Sequence, residues 1–591
     1  MKRDIAETNA TECSNLTKQR KIVPQDEIDI DEDFDFTDKS IPSPSSPALS
    51  VLSGHSQSET SVSSLPVVKR RQPTLDLSFK NQKSFHDGGT KAAEFTNNLI
   101  FMIAKDNLPL ATVEKEGFKT FMKVVAPLYK IPSRKTMTSL IEEKYEFLSS
   151  MIKTQISDIT NLCLTTDIWT DTLNTKSFLG LTAHYISKET YKSVTIGVSE
   201  LNDRHTSENI KMWLLNILCE WNINIENVVV VVSDNAANIK KAITEAFGTE
   251  KHLPRFAHTL NLIPAIIIKD DATVSEFCKK IKNIVTYFKH SVVAADELRT
   301  QSNLKLIQSV ETRWNSTYDM LDRFIELADK VSTILLKHPT APIMLTASEL
   351  QAGKEFIQLL KPFDEATKIV SGEQYLTGSK VIPIVNTLKN KLDMLTPSTE
   401  IGIHFKNVIE HQFARRLNNI EKVQPLAIST ILDPRFKNIN FSDRIACAYS
   451  INKITQMINT NELDECNDQN VPLDNCTETD NFWTYHEHLV NRFKYMSKDK
   501  EFSMADELKY YLNQPPIKMD DNPLKYWLVN MHSSLKKIAL KYLCISATSV
   551  SSERLFSRAG NIMTKNRNRI TGEHLTQLLF LNSLAIEDWL L

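Results

Sequence analysis

Three acidic residues stand in segments that can position a metal ion. Asp167 follows the mostly apolar run 162–166, Asp234 follows five valines and a serine, and Glu553 lies far beyond both. A carboxylate at the end of a buried strand is held rigidly beside solvent, where a hard cation can reach it. If the fold brings the three together, two Mg²⁺ ions would equip the chain to cut phosphodiester bonds. The alternative is two strand-end turn residues and an acid on a helix surface.

Seven short motifs occur in a fixed order along the chain. They are Thr166–Asp171, Ser233–Asn238, Ala257–Leu262, Thr312–Thr317, Leu432–Lys437, Pro523–Trp527 and Ser551–Gly560. In this order they resemble the transposases of the hAT superfamily, and host proteins derived from them, of the kind that usually carries a BED-type zinc finger. The resemblance covers about residues 90–585.

The resemblance implies that Asp167, Asp234 and Glu553 occupy the three acidic positions of a DDE transposase. It implies Mg²⁺ or Mn²⁺ as the cofactor of an active enzyme, because these ions accept carboxylates and water readily. Asp171 is a nearby alternative carboxylate, which we interpret as a supporting or capping residue.

One position departs from the family pattern beside the predicted site. His258 stands where the family's Cys-x-x-His pattern has its histidine, but Arg255 replaces the cysteine. A guanidinium adds charge where the DNA and the metal ions would sit, which argues against full catalytic competence. By this resemblance His258 is a candidate DNA-binding residue; taken alone, such a histidine is more often a hydrogen-bonded structural residue.

Basic and aromatic residues supply candidate DNA contacts. Trp314 could stack on an unpaired base, which is worth ~1–3 kcal/mol, while Arg313 contacts a phosphate; the resemblance implies this role for the tryptophan. The alternative is a tryptophan buried at the start of a helix. A second basic cluster would contact phosphates beside Glu553 or form a solvated face, and comprises Lys565, Arg567 and Arg569, accompanied by Arg554 and Arg558.

The cysteines predict no zinc site. A BED finger needs Cys-x₂-Cys followed by spaced histidines, and only Cys13 precedes Cys163. We therefore expect that the module that reads DNA sequence is missing. A later group has spacings that fit no common zinc site, and consists of Cys466, Cys476, His486 and His488.

Composition limits the class of protein. The 591 residues are 41% hydrophobic and 24% charged, as in soluble globular proteins of two to four domains. We expect no membrane span and no secretory leader, and the scattered cysteines fit reduced thiols of the cytosol or nucleus. A net charge of −2 gives no overall attraction to nucleic acid, so DNA binding must rest on local basic patches.

The first 85 residues are predicted to be disordered. Eight of the thirteen residues 26–38 are acidic, and residues 40–65 hold eleven serines and three prolines. Such segments bury too little apolar surface to offset their chain entropy. Basic clusters at 18–21 and 69–71 are either nuclear import signals or plain solvated charge.

Hydrophobic periodicity predicts a helix-rich α+β chain, and its scarcity of glycine agrees with many helices. Strands are expected at 162–169, 178–186, 194–201 and 228–233, with helices at 212–221 and 239–247, an order that matches a ribonuclease H-like fold. We predict a small helical domain at 90–158, for which the resemblance implies a role in DNA binding or dimerisation. We also predict the first part of the core at 160–340 and an all-helical insertion at 341–515. By resemblance, residues 520–585 complete the core and form a C-terminal dimerisation region.

The favoured interpretation is a domesticated or degenerate transposase that acts in the nucleus, dimerises and binds DNA in transcription regulation. An active cut-and-paste transposase is the first alternative, and a helical interaction scaffold without DNA binding is the second. DNA and a second copy of the chain are the expected partners; no membrane and no small-molecule substrate are expected.

Overall fold

A computed structural model describes residues 83–85, 89–171, 176–187, 189–310, 313–370, 377–467, 505–529, 533–548, 550–562 and 571–589. The predictions for the tail before residue 83 therefore lie outside the described residues. The chain divides into a small unit, residues 1–93 with 128–130, and a larger one, residues 94–127 with 131–591. The sheet and every helix after the first belong to the larger unit.

A mixed five-stranded sheet carries the residues of interest. Its strands are β1 (Leu162–Asp171), β2 (Lys176–Ser187), β3 (Thr190–Leu201), β4 (Val228–Ser233) and β5 (His252–Pro254). Their order across the sheet is β3-β2-β1-β4-β5, with β1, β2 and β3 antiparallel and β4 and β5 parallel to β1. The predicted helix-rich α+β class with a ribonuclease H-like core is confirmed.

The four strands predicted from alternation and valine content are present, with β1 to β3 somewhat longer than expected. The fifth strand was not predicted, because three residues ending in a proline are too short to show a period of two. It pairs in parallel with β4 through Val231, Val232 and Ser233.

In the described part of the chain, five α-helices precede the sheet or connect its strands, and two of them begin directly after a residue whose side chain caps the helix. They are α1 (Thr90–Lys105), α2 (Glu116–Val125), α3 (Arg134–Ser157), α4 (Ser207–Glu220) and α5 (Ala237–Phe247). The Ser133 and Thr206 side chains accept hydrogen bonds from backbone N–H groups in the first turns of α3 and α4. The helix α2 ends at Val125, seven residues before Pro132, so this proline precedes the Ser133 cap of α3 but does not itself end α2.

A long helical region follows the sheet. Its helices are α6 (Phe256–Asp270), α7 (Ala272–His290), α8 (Val292–Gln301), α9 (Trp314–Glu326), α10 (Ala328–Leu335), α11 (Ala347–Val370), α12 (Val381–Met394), α13 (Glu400–Leu417), α14 (Gln424–Ile431) and α15 (Arg444–Asn467). Many of them share one apolar core with side chains of β4 and β5. No feature of this core tests the predicted boundaries at 340 and 515, which stay predictions.

The C-terminal helices return to the sheet. They are α16 (Asp506–Asn513), α17 (Pro523–Val529), α18 (Ser533–Leu543), α19 (Val550–Ile562) and α20 (Gly572–Ser583). Leu555 and Phe556 of α19 and the leucines of α20 belong to the same apolar core as β1, β2 and β3. The Thr576 hydroxyl donates to the Val198 carbonyl, 2.7 Å away, which fixes α20 against β3. Residues distant in sequence therefore complete this core.

Candidate functional site

Two of the three predicted acids lie side by side at one edge of the sheet. Thr165 of β1 pairs with Val232 of the parallel strand β4. Asp167, which lies inside β1, and Asp234, which directly follows β4, each come two residues later, so they stand at matching positions of neighbouring strands. This edge of an open α/β sheet is the usual place for a ligand.

Asp167 is largely enclosed, with 14% of its side chain exposed. Its Oδ1 accepts a hydrogen bond of 2.8 Å from the Ile168 N–H. Burial raises the pKa of the Asp167 carboxyl above its ordinary value, the nearby guanidinium of Arg255 opposes that rise, and the negative charge of Asp234 adds to it. The effect of the Asp234 charge on the pKa of Asp167 agrees with the strand register, which places the two carboxylates next to each other.

A buried arginine neutralises Asp167. Arg255 is 6% exposed, and its Nη2 lies 2.5 Å from Asp167 Oδ1. The same nitrogen donates to the Thr166 carbonyl at 3.2 Å, and the backbone N–H of Arg255 donates to the Ser233 carbonyl at 3.0 Å. Arg255, which directly follows β5, is therefore bonded to β1 through its guanidinium and to the end of β4 through its backbone.

The helix that begins after Arg255 leads from this edge to the predicted tryptophan. Arg255, His258 and Asn261 recur every three residues and so lie along one side of α6. The Trp314 indole N–H donates to Asn261 Oδ1 at 3.0 Å, and the Thr367 hydroxyl donates to the same oxygen at 2.9 Å. His258 is exposed.

Trp314 lies in the apolar core of the helical region and is 6% exposed. This burial agrees with the alternative interpretation of Trp314, a tryptophan buried at the start of a helix. Its stacking on an unpaired base stays a prediction, and in this packing such stacking would require the ring to leave its pocket. The preceding residue, Arg313, is exposed and free to face a large ligand at this end of α9.

Glu553 lies in α19, but its side chain is outside the described ones. Helix α19 comes close to the end of the sheet that carries Asp167 and Asp234, which is called the acidic edge below. A Cβ at Gly180, the β2 residue paired with Asp167, would lie 2.8 Å from Leu555 Cδ2. Glu553 stands two residues before Leu555, about 3 Å along the helix axis. Its predicted role as third metal ligand stays a prediction.

Other predicted site residues are also outside the described part. Lys565, Arg567 and Arg569 all fall there, as do Cys476, His486 and His488 and the side chain of Cys466. Within the described part, Arg554 is exposed and Asp171 is buried at the end of β1. The basic cluster beside Glu553 therefore stays a prediction.

The described residues do not fit a pair of Mg²⁺ ions. Among them, no three His, Cys, Asp or Glu side chains are grouped so as to hold a metal ion. The Asp167 oxygen that would bind one of the ions is taken by a guanidinium instead. The buried guanidinium places a fixed positive charge beside this carboxylate, which disfavours a divalent cation there.

Sequence reasoning found the departure at Arg255 but not its partner. Nothing in the spacing of Asp167 and Arg255 announces an ion pair, because they belong to strands separated by β4. Asn261, which holds Trp314, was also missed, although its spacing of three from His258 could have indicated a shared helix face.

One cavity lies away from the acidic edge. Its volume is about 1220 Å³, and β3 lines one wall. Its lining includes five basic and five acidic side chains, which are Lys105, Lys192, Lys380, Arg435, Arg558, Glu189, Asp520, Asp521, Glu587 and Asp588. Because these charges balance, the lining favours neither an anion nor a cation. In the part of the chain described, no helix has the length and apolar character needed to cross a bilayer.

The strand order and the two carboxylates, one inside β1 and one directly after β4, define the class, a ribonuclease H-like protein of the kind on which DDE transposases are built. Comparison with known proteins agrees. Residues 165–254 match the ZBED1 RNase-like domain, 253–358 the ZBED1 RNase-like helical domain, and 507–585 the hAT family C-terminal dimerisation region.

Relatives that align with most of this chain come from animals and plants. The chain is 26% identical to human zinc finger BED domain-containing protein 4 over 85% of its own length, and 25% identical to a putative AC transposase of maize over 83%. It spans 44% and 64% of the lengths of these two proteins. The Hobo transposase of Drosophila melanogaster is 28% identical over 39% of this chain and 37% of its own length. Along most of its length the chain is therefore similar to ZBED proteins and to transposases of the hAT superfamily.

Proposed function

We propose that this chain is a transposase-derived nuclear protein that self-associates and binds DNA without cutting it. The observation that carries the proposal is the ion pair between Arg255 and Asp167. An acid that must bind a catalytic cation is here neutralised by the chain's own guanidinium. The remainder of the scaffold, including the C-terminal region, keeps its fold.

The DNA-binding surface that we propose surrounds the start of α6. His258 is exposed there, and Arg313 is exposed at the start of α9, which the Trp314–Asn261 hydrogen bond holds against α6. The positive end of a helix and an arginine both favour phosphate. Neither contact reads bases, so we expect binding of low sequence specificity.

Fluorescence anisotropy with labelled duplex DNA at several salt concentrations tests this surface. We expect Arg313→Gln to weaken binding to all duplexes and to reduce the salt slope by about 0.9, the value for one phosphate contact. Lys269→Gln is the matched control, because Lys269 is exposed at the far end of α6. Equal losses in the two variants would mean that binding is diffuse and not centred on this surface.

Self-association is supported by the match of residues 507–585 to the dimerisation region. The leucines of α20 do not supply a free apolar surface, since they are buried within the chain. Exposed apolar side chains in this range are instead Tyr510, Met519 and Val529, the last 83% exposed. We propose that they face a second copy of the chain.

Sedimentation velocity tests the second copy. We expect wild-type protein to sediment with the mass of two or more chains and Val529→Glu to shift toward one. Ile343→Glu is the control, because Ile343 is 94% exposed but lies outside the matched region. A wild-type monomer, or an unchanged assembly in Val529→Glu, would contradict this arrangement.

A cleavage assay decides between the proposal and an active transposase. A flanked or pre-nicked duplex is incubated with Mg²⁺ or Mn²⁺ at high protein and low salt, with Glu553→Gln as the comparison. The proposal expects binding by both proteins and cutting by neither. Metal-dependent nicking that Glu553→Gln abolishes would establish the enzyme, and absence of both binding and cutting would favour the scaffold.

Nuclear location is part of the proposal. It is supported by the basic clusters at 18–21 and 69–71 and by the transposases among the relatives. Replacing Lys69, Arg70 and Arg71 by glutamine in a fluorescent fusion is expected to reduce nuclear accumulation. Unchanged accumulation after both clusters are neutralised would remove this support.

A further inference from the structure

We infer that Arg255 is a built-in cation that takes the place of a divalent metal ion at the acidic edge, and that an uncharged residue at position 255 would uncover a divalent-cation site formed by Asp167 and Asp234. This inference rests on the proposed function. It adds that the edge is complete without metal and identifies the residue that keeps metal away.

The first argument is the reach of the side chain. Arg255 directly follows β5, and its ion-pair partner is on β1, with β4 between the two. Two strand spacings are roughly 10 Å. To contact both Asp167 and the Thr166 carbonyl, the guanidinium must therefore extend across the carboxyl end of β4, where Asp234 begins the next loop. It lies in the space that a cation shared by the two aspartates would occupy.

The second argument is charge. Asp167 and Asp234 stand at matching positions of neighbouring strands, and the negative charge of Asp234 disfavours ionisation of Asp167. Two adjacent carboxylates without a cation repel each other, and a positive charge between them relieves the repulsion. Arg255 supplies one such charge permanently, because a guanidinium does not deprotonate in proteins. A divalent ion would meet this fixed positive charge within a few ångströms.

The third argument is that Arg255 is anchored. Its backbone N–H is bonded to Ser233, its Nη2 bonds to Thr166 as well as to Asp167, and only 6% of the residue is exposed. Its Nε has no hydrogen-bond partner among the described residues. The Arg255 side chain keeps these contacts although one of its donors is unpaired, which indicates that the ion pair holds it in place. If the side chain moved away, the enclosed Asp167 carboxylate would lose its positive partner.

The test uses Mn²⁺ alone as the probe of the full chain, with free Mn²⁺ followed by electron paramagnetic resonance. Arg255→Met keeps the length of the side chain and removes its charge. Because residues 26–38 are rich in acid and bind cations loosely, binding at the edge is the difference between Arg255→Met and the double variant Arg255→Met/Asp234→Asn. Arg255→Lys keeps a positive charge and is the matched control.

We expect one saturable Mn²⁺ site in Arg255→Met that wild type, Arg255→Lys and the double variant lack. Thermal unfolding gives an independent readout. At a Mn²⁺ concentration a hundred times the Kd, the folding equilibrium constant of Arg255→Met should rise about a hundredfold, while that of the wild type does not change. If Arg255→Met does not fold, Arg255→Gln retains an N–H donor for Thr166 and serves in the same comparison.

Two results would overturn the inference. One is a wild-type Mn²⁺ site that Asp167→Asn removes, since the guanidinium would then not exclude the metal. The other is an uncharged variant at position 255 that binds no more Mn²⁺ than wild type. Duplex DNA binding, measured on the same preparations without divalent ions, reports separately on the proposed function, so that either proposal can fail alone.

Discussion

The acidic edge and the C-terminal core differ in how they are held together. At the edge, Asp167 and Asp234 approach each other and a single arginine balances them. In the C-terminal core, defined here as the buried side chains of α19 and α20 with their neighbours in α3 and the sheet, contacts are apolar and numerous. The ring of Phe580, for example, packs edge-on against Tyr145 with 5.2 Å between ring centroids, and its centroid is 5.7 Å from that of Trp221.

This difference separates scaffold from chemistry. An apolar core tolerates little change, because each side chain contacts many others and any cavity is costly. A charge constellation can be altered by one residue without loss of the fold, provided that the new charge is balanced. The replacement at Arg255 is of the second kind, so a lineage can lose metal chemistry there and keep the architecture used for assembly.

The largest effect is expected in the C-terminal core. Phe580→Ala should lower the free energy of unfolding by about 3–5 kcal/mol, because the 1% exposed ring leaves a cavity. Phe147→Ala on α3 is the control, since this ring is 59% exposed and should change stability little. Urea denaturation followed by circular dichroism measures both. Similar losses in the two variants would remove the contrast between core and surface.

A smaller and asymmetric effect is expected at the edge. Asp167→Asn leaves the Arg255 guanidinium buried without its anion and should destabilise the protein by about 3 kcal/mol. Asp234→Asn removes the repulsion from Asp167 together with part of the attraction to Arg255, and asparagine keeps an oxygen for the Ala236 N–H, so stability should stay within about 0.5 kcal/mol of wild type. Urea denaturation is again the measurement. If both variants instead gained stability equally, the edge would behave as an unneutralised pair of acids, and Arg255 would not be its counter-charge.

The smallest effect at neutral pH concerns a histidine inside the sheet. His184 is fully buried, its Nε2 lies 2.9 Å from Thr165 Oγ1, and burial lowers the pKa of its imidazole to about 3. The unfolded chain, with a histidine pKa of about 6.5, takes up the proton first. Stability is therefore complete above about pH 6.5 and falls toward pH 3, by about 1.4 kcal/mol for each pH unit.

Unfolding curves at a series of pH values check this expectation. His184→Gln should lack this part of the acid sensitivity, whereas His290→Gln, at an exposed position in the last turn of α7, should retain it. Acid sensitivity that is the same in wild type and His184→Gln would mean that other groups cause it. In that case the sheet beneath the acidic edge would contribute nothing to the pH response.

Much of the fold could be predicted because its signals are local. The valine run of β4 and the apolar residues of β2 and β3 predict strands, and the Ser133 cap after Pro132 marks the start of α3. The match of ordered motifs adds the family and with it the strand order. The short strand β5 escaped prediction, since three residues cannot display a period.

The sequence by itself determined most of the elements, the resemblance to a family and the two aspartates associated with β1 and β4, because residue type and spacing act within a few positions. Tertiary structure alone decided that Arg255 crosses β4 to pair with Asp167, that Asn261 holds Trp314, and that the leucines of α20 are buried inside the chain. Such contacts join segments whose separation in sequence bears no relation to their distance in space. Which charge meets which carboxylate is fixed only when the strands assemble.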